Sequence, residues 1–398
     1  MPSMKKQGGF WKDNINLIIW SVFGIALVLA VLLYQLGSLT GGLSTGENVS
    51  AVAPVGWHGI FNDPLYLPLK IVRSAVYFVA PGHGQILTRL PNVIFGGLAV
   101  SSFTLLILLW HGRRTALFTG LLFATSAWVL HVSRLASFDV LYLWVVPTML
   151  LLQVLLHRYG ERSAVWYGSL LTWGLLLYIP GLVWLVAAQI LLQWKLVVHC
   201  WQVFSHWWQR LLAALSVLIW LPLLAIDFTR HGQLITWLGL PSQWPSIAGV
   251  AKQFALVPVH LLVHGPTSPT LWLDQAPILD IFTLVVCGLG IYFYASHWRS
   301  SRTKSLTTLI LLSGVLVGLG GSVGLSLLVP FLYIAAATGI AYLLRDWLKV
   351  FPLNPLARGL GIGLVSLAVL ASCTYNLRSY FIAWPHNNAT QTVFHYHR

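Results

Sequence analysis

Residues 56–82, GWHGIFNDPLYLPLKIVRSAVYFVAPG, hold an acid, two bases and several aromatics between two long apolar segments. In a chain this poor in charge, Asp63, Lys70 and Arg73 stand out together. A carboxylate near two cations at a membrane surface can take a proton from a hydroxyl group. Asp63 also has a plainer reading, because an Asp directly before Pro is the expected N-cap and N1 pair of a helix opening at Pro64. The two roles do not exclude each other. From Pro64 onward, Tyr66, Lys70, Arg73 and Tyr77 would share one helical face, with Leu65, Leu69, Val72 and Val76 on another. Such a helix would lie in the membrane interface, shortened or kinked by Pro68.

Composition sets the frame that must position these groups. The chain is 57% hydrophobic and 8% charged, with a mean hydropathy of +0.78; soluble proteins carry roughly 25% charged residues. This is the composition of an integral membrane protein. The apolar runs are continuous, long enough for helices across a hydrocarbon core of about 30 Å, and lack the two-residue alternation of a membrane barrel. The expected fold is all-α and polytopic. Spans are predicted at 15–36, 90–110, 115–132, 140–156, two within 164–198, 211–226, 281–296, two within 306–344 divided at Gly320-Gly321-Ser322, and 359–375. That is about eleven spans in one transmembrane domain over residues 1–398. Its outer parts are a first loop at about 37–89, a second large loop at about 227–280 and a tail at about 376–398.

With the N-terminus in the cytoplasm, 15 of the 23 Lys and Arg residues fall inside, and six of the nine acids fall outside. That is the asymmetry expected of cytoplasmic loops. The formal net charge of +14 then reflects short basic loops against an anionic leaflet, not nucleic-acid binding. The first run follows Lys5, Lys6 and Lys12 and is too long for a cleaved signal sequence, so it reads as an uncleaved first span. Three cysteines, Cys200, Cys287 and Cys373, form no disulfide framework.

Two further segments carry polar groups. His131-Val132-Ser133-Arg134-Leu135-Ala136-Ser137-Phe138-Asp139 reads as a tight hairpin, its plain reading a snorkelling Arg134 and a helix cap at Asp139. The loop 227–280, rich in Trp and Pro with an apolar piece at Phe254–Val263, reads either as a second interfacial helix or as a lid over a groove. Asp-x-Asp occurs nowhere and the histidines are scattered, so no metal or other cofactor is expected. Two N-glycosylation sequons stand at Asn48-Val49-Ser50 and Asn388-Ala389-Thr390.

In their order along the chain, these motifs resemble the glycosyltransferase C superfamily. They are an Asp in a long first outer loop with a juxtamembrane helix, Arg89-Leu90-Pro91 opening span two, the Arg113-Arg114 turn, Ser133-Arg134-x4-Asp139, and Leu328-Val329-Pro330-Phe331-Leu332-Tyr333. The likeness is to the protein O-mannosyltransferase and aminoarabinose-transferase branch. It implies a membrane glycosyltransferase, in a bacterial cytoplasmic membrane, that moves a sugar from a polyprenyl-phosphate carrier to a glycan, lipid or protein acceptor on the outer face. Asp63 would be the general base. Arg134 and Asp139 would support it, and Arg89 would stand near the lipid phosphate, with Lys70 and Arg73 as further nearby cations. A leaving phosphomonoester needs cations at the headgroup plane. One base and a single displacement predict inversion at the anomeric carbon. A transporter or flippase for an anionic lipid would share the span count and outer cations, but the chain shows no clear repeat and no acid near a span centre. A non-catalytic relative with the same fold is the third alternative.

Overall fold

In the computed structural model, residues 24–47, 63–80, 84–204, 206–218, 231–266 and 276–394 are described. Among them the chain is α-helical throughout. In order the helices are α1 (Gly24–Leu33), α2 (Leu67–Val79), α3 (Gln85–His111), α4 (Arg113–Thr125), α5 (Ala127–Arg134), α6 (Val140–Tyr159), α7 (Ser163–Leu176), α8 (Leu182–Leu192), α9 (Trp194–Val203) and α10 (Trp207–Leu218). There follow α11 (His231–Trp237), α12 (Ile247–Leu262), α13 (Ile281–Ser296), α14 (Ser301–Gly318), α15 (Val329–Val350), α16 (Pro355–Arg378) and α17 (Asn388–Val393). A π-helical turn, Ser379–Ala383, continues α16.

Four segments are long and apolar enough to cross a membrane: α3, α6, residues 325–350 and residues 355–383. Two bent pairs raise the number to six: α4 with α5, at 58°, and α13 with α14, at 120°. Helices α1, α8 and α12 are apolar but shorter. The protein is therefore a multi-span integral membrane protein. The single span predicted over 115–132 is broken at Ser126, whose extended backbone separates α4 from α5.

The outside of the bundle is apolar, as lipid requires. Leu356, Leu360, Leu364, Leu367 and Leu370, at helical spacing on α16, are each more than half exposed. Inside, backbones approach where small residues permit, which is how membrane helices associate without a hydrophobic drive. A Cβ on Gly290 of α13 would overlap the carbonyl of Ala335 on α15, and one on Gly339 would overlap the carbonyl of Val286.

Helices α3 and α6 run from one end of the bundle to the other, and their ends define its two faces. At the near end, Arg89 reaches Leu36 and Glu47, and Asn92 Nδ2 donates to the Ser137 carbonyl. At the far end, Arg158 donates to the Leu109 carbonyl, and Arg302 reaches His111.

Three chain segments meet at Gly181, Gly239 and Val323. Gly181 (φ 79°) and Gly239 (φ 74°) lie back to back, with their Cα atoms too close for any side chain between them. Both adopt the left-handed region that glycine enters without steric cost. Gly181 N donates to the Trp237 carbonyl at 2.8 Å, and Trp237 Nε1 donates to the Leu177 carbonyl at 2.6 Å. Trp237 thus fastens the loop before α12 to the turn between α7 and α8. From the predicted second loop, α12 is a helix lying against the end of α14, where Phe254 packs on Gly318.

Candidate functional site

At the near end, Asp63 sits just ahead of α2, and its conformation differs from a helix cap. The helix opens at Leu67, not at Pro64, and its N-cap residue is Tyr66, with Pro68 in the first turn. Proline is accepted there because its missing N–H has no partner to lose. Asp63 instead closes a local turn, its Oδ1 accepting from Leu65 N at 3.3 Å. Its other oxygen, Oδ2, accepts from Lys70 Nζ at 2.7 Å, and the same ammonium donates to the Asp63 carbonyl at 2.6 Å. Lys70 is 2% exposed and Asp63 42% exposed. The cation is therefore buried and the carboxylate open on one side.

Helix α2 turns its charges inward. Lys70, Arg73 and Leu69 are buried, while Ile71, Phe78 and Val79 are exposed. This is the reverse of a helix at a water-facing surface and fits one whose outer side meets lipid. Burial pushes the Lys70 ammonium below its usual range, with Asp63 opposing the shift. The Arg73 guanidinium is also lowered by burial, and it lies over the Phe138 ring at 5.9 Å.

Tyr66 joins α2 to the rest of the site. It holds a left-handed backbone, φ 60° and ψ 28°, uncommon for a non-glycine residue and costly by roughly 1–2 kcal/mol. Two contacts hold it there: its N–H donates to the Tyr178 carbonyl at 2.8 Å and its ring stacks on Phe138 at 4.1 Å, while its hydroxyl faces Tyr142. Tyr142 in turn reaches the carbonyls of Pro180 and Ser322 at 3.2 and 3.3 Å. Burial, then the Asp139 charge, raises the Tyr66 phenol well above its usual range.

Asp139 immediately precedes α6 but makes no side-chain cap bond, so the capping role expected of it is not its role here. Asp139 is half-buried. Burial pushes it up to about 6. Its Oδ1 lies where a Cβ on Gly324 would sit, so only glycine at 324 leaves room for the acid.

Arg89 and Arg134 form a second group. Arg89 is buried in a two-pronged ion pair with Glu47, Nε to Oε1 at 2.8 Å and Nη2 to Oε2 at 3.0 Å. It also donates to the carbonyls of Leu36 and Gly42, both at 2.9 Å. Glu47 further accepts from Ala136 N at 3.1 Å. The guanidinium therefore ties the first loop to the 135–139 turn. Glu47 is the residue that motif reading passed over. Its signal was Ser44-Thr45-Gly46-Glu47, a capping box in which Ser44 and Glu47 exchange side-chain bonds.

Arg134 does not snorkel. It is 3% exposed, donates to the Tyr34 carbonyl at 2.6 Å, and faces the rings of Phe381 and Tyr380 at 4.8 and 5.3 Å. Its Nε and Nη1 have no hydrogen-bond partner among the described residues. The 135–139 turn lies between the two groups, donating to Glu47 from Ala136 N and stacking on Tyr66 through Phe138. Among the described residues no three His, Cys, Asp or Glu side chains group closely enough to hold a metal ion. Of the predicted sequons, Asn388 opens α17 and Thr390 is buried, while Asn48 lies outside the described residues, as do Asp227 and Asp274.

Fold and site together define a multi-span, all-α membrane protein with its buried charges gathered at one end of the bundle. The solved structure of ArnT from Cupriavidus metallidurans in the apo state superposes with a TM-score of 0.56, at 15% identity, over 96% of this chain and 78% of that one. ArnT from the same organism bound to undecaprenyl phosphate superposes with a TM-score of 0.54, at 13% identity, over 94% and 77%. No protein-family profile matches the chain, and neither does any curated protein sequence.

Proposed function

We propose that this chain is a membrane glycosyltransferase that transfers a sugar from a polyprenyl-phosphate-linked donor to an acceptor hydroxyl. The acceptor oxygen attacks the anomeric carbon and its proton passes to Asp63. The bond from that carbon to the phosphate oxygen breaks, and its electron pair leaves with the phosphate. The observation that carries the reading is the Asp63 carboxylate, open on one side and held by a buried lysine at 2.7 Å. A base so fixed is oriented before the substrate arrives.

Lys70 and Arg73, buried beside it, are the cations suited to the developing phosphate dianion. Arg134 adds two unengaged N–H groups. Arg89 enters through Glu47 by fixing the first loop. Asp139, whose charge acts on Tyr66, borders the donor site. A single displacement inverts the anomeric centre.

In this reading the near end faces outward from a bacterial cytoplasmic membrane, with the N-terminus inside. The far end carries the basic turns that cytoplasmic faces favour. About eleven passages are retained as the proposed count, with shorter helices such as α7, α8 and α13 crossing as partial or tilted spans. The donor is a hexosyl or pentosyl lipid phosphate. The fold shared with ArnT, which has been solved bound to undecaprenyl phosphate, supports a polyprenyl carrier.

The test is transfer of radiolabelled sugar from a panel of polyprenyl-phosphate sugars by membranes holding wild-type protein or Asp63→Asn at matched levels. Transfer by wild type with a loss of about 10²–10⁴-fold in the variant supports the base. Equal transfer by both removes Asp63 from the chemistry.

A further inference from the structure

The far end of the bundle holds a cleft of about 390 Å³, remote from Asp63 and unused by the proposed chemistry. Its polar lining is His111 from the end of α3, Arg114 from the first turn of α4, and Arg345 and Lys349 from the last turns of α15. Arg302 of α14 backs it, with Nη2 2.8 Å from His111 Nε2 and its guanidinium 3.7 Å from the Trp110 ring centre. Four permanent cations thus converge from three helices. Among the described residues, the acid that answers them is Asp346, 3.9 Å from Lys349 in an exposed pair. Exposed pairs of that kind contribute little. Apart from Thr115, the rest of the lining is apolar, with Leu344, Leu348 and Ile362 on the walls.

We propose that this cleft binds the phosphate group of an anionic membrane lipid. Converging cations repel one another until an anion enters. A first helical turn at Arg114 presents the positive end of α4 to it. The apolar walls belong to α15 and α16, whose exposed leucines face lipid, so a lipid's acyl chains can leave the cleft along them while its phosphate stays at the helix ends. Basic pockets between membrane helices recognise anionic head groups by this combination. A free phosphate anion would satisfy the cations equally but not the apolar walls.

The experiment is native mass spectrometry of the full chain titrated with phosphatidylglycerol, using phosphatidylcholine as the zwitterionic reference and inorganic phosphate as a competitor without tails. The expected result is one phosphatidylglycerol retained in preference to phosphatidylcholine and not displaced by millimolar inorganic phosphate. Arg114→Gln and Arg345→Gln should each weaken retention about fivefold, and the pair about thirtyfold, equivalent to about 1 kcal/mol per arginine. Arg114→Lys and Arg345→Lys keep the charge and most of the binding, which separates lost recognition from lost folding. Arg113→Gln, exposed and outside the cleft lining, is the control for charge alone and should change nothing. Displacement by inorganic phosphate at equal affinity, an equal loss in Arg113→Gln, or retention undiminished by both cleft substitutions overturns the proposal.

Discussion

Lys70 grips Asp63 at two points, its Nζ donating to the carboxylate at 2.7 Å and to the same residue's carbonyl at 2.6 Å. The carboxylate therefore has one direction in which to point. If that orientation serves proton transfer, Lys70→Met should lower kcat/KM by about 10–100-fold through misplacement. Adding Asp63→Asn to it should give little more than Asp63→Asn alone, as for residues acting as a unit. The stabilities should split the other way. Asp63→Asn leaves a buried ammonium without its acid and should cost about 1–2 kcal/mol, discounted because Asp63 is half open to solvent. Lys70→Met leaves only an exposed carboxylate and should cost less. Transfer assays and thermal unfolding in one detergent check both halves.

Asp139 gives a pH signature. Its folded-state carboxyl titrates near 6, raised by burial from the usual 3.8. A group raised on folding contributes stability that is fully present below the unfolded value and is lost as pH rises through the folded one. Unfolding temperature should thus fall between pH 4 and 7, by the equivalent of up to about 3 kcal/mol if the whole shift is expressed. Asp139→Asn cannot ionise and should flatten that slope, matching or exceeding wild type at pH 8. A slope that survives in Asp139→Asn belongs to another group.

Part of this arrangement was legible in the sequence because it follows a helical period. Continuous apolar runs gave helices, and the spacing of Lys70 and Arg73 placed them on one face, although Leu69, expected on another, is buried with them. That this face would turn inward was not legible, since inward and outward differ only by what covers the helix. Asp63 before Pro64 reads as a cap. The left-handed Tyr66 moves the helix start to Leu67, and nothing local announces it, because its partners Phe138, Tyr142 and Tyr178 come from distant segments. The pair of Glu47 and Arg89 spans 42 positions, beyond any local pattern. Its capping box was readable, but it stands inside the long first loop, where no helix was expected before Pro64. The break at Ser126 carries no Pro or Gly.

The two arginines near Glu47 should separate under substitution. Arg89 is saturated by a carboxylate and two carbonyls, so Arg89→Gln strands a buried Glu47 and should destabilise by about 3–5 kcal/mol. Glu47→Gln should behave alike, and the double variant should be no worse than either alone. Arg134 has N–H groups to spare. Arg134→Lys keeps the cation but loses the flat contact with Phe381 and Tyr380, and should raise the donor KM severalfold with little change in unfolding temperature. If instead Arg89→Gln folds normally and only its donor KM rises, Arg89 contacts the phosphate directly.

Two glycines two residues apart, and so on different faces of one helix, test how the bundle is held together. A Cβ on Gly290 would overlap the Ala335 carbonyl oxygen, while one on Gly288 would meet nothing within 4 Å. Both residues lie in α13 and both become better helix formers as alanine. Propensity alone predicts that the two substitutions stabilise equally. Backbone contact predicts the opposite for one of them, because α13 and α15 cannot separate without losing the dispersion and close packing that hold membrane helices together where lipid offers no hydrophobic drive. Gly290→Ala should therefore destabilise by about 1–3 kcal/mol or more, and Gly288→Ala should be neutral or stabilising by up to about 1 kcal/mol. Unfolding of the two variants in the same detergent decides between them. Equal stabilities would mean that α13 and α15 do not meet through Gly290.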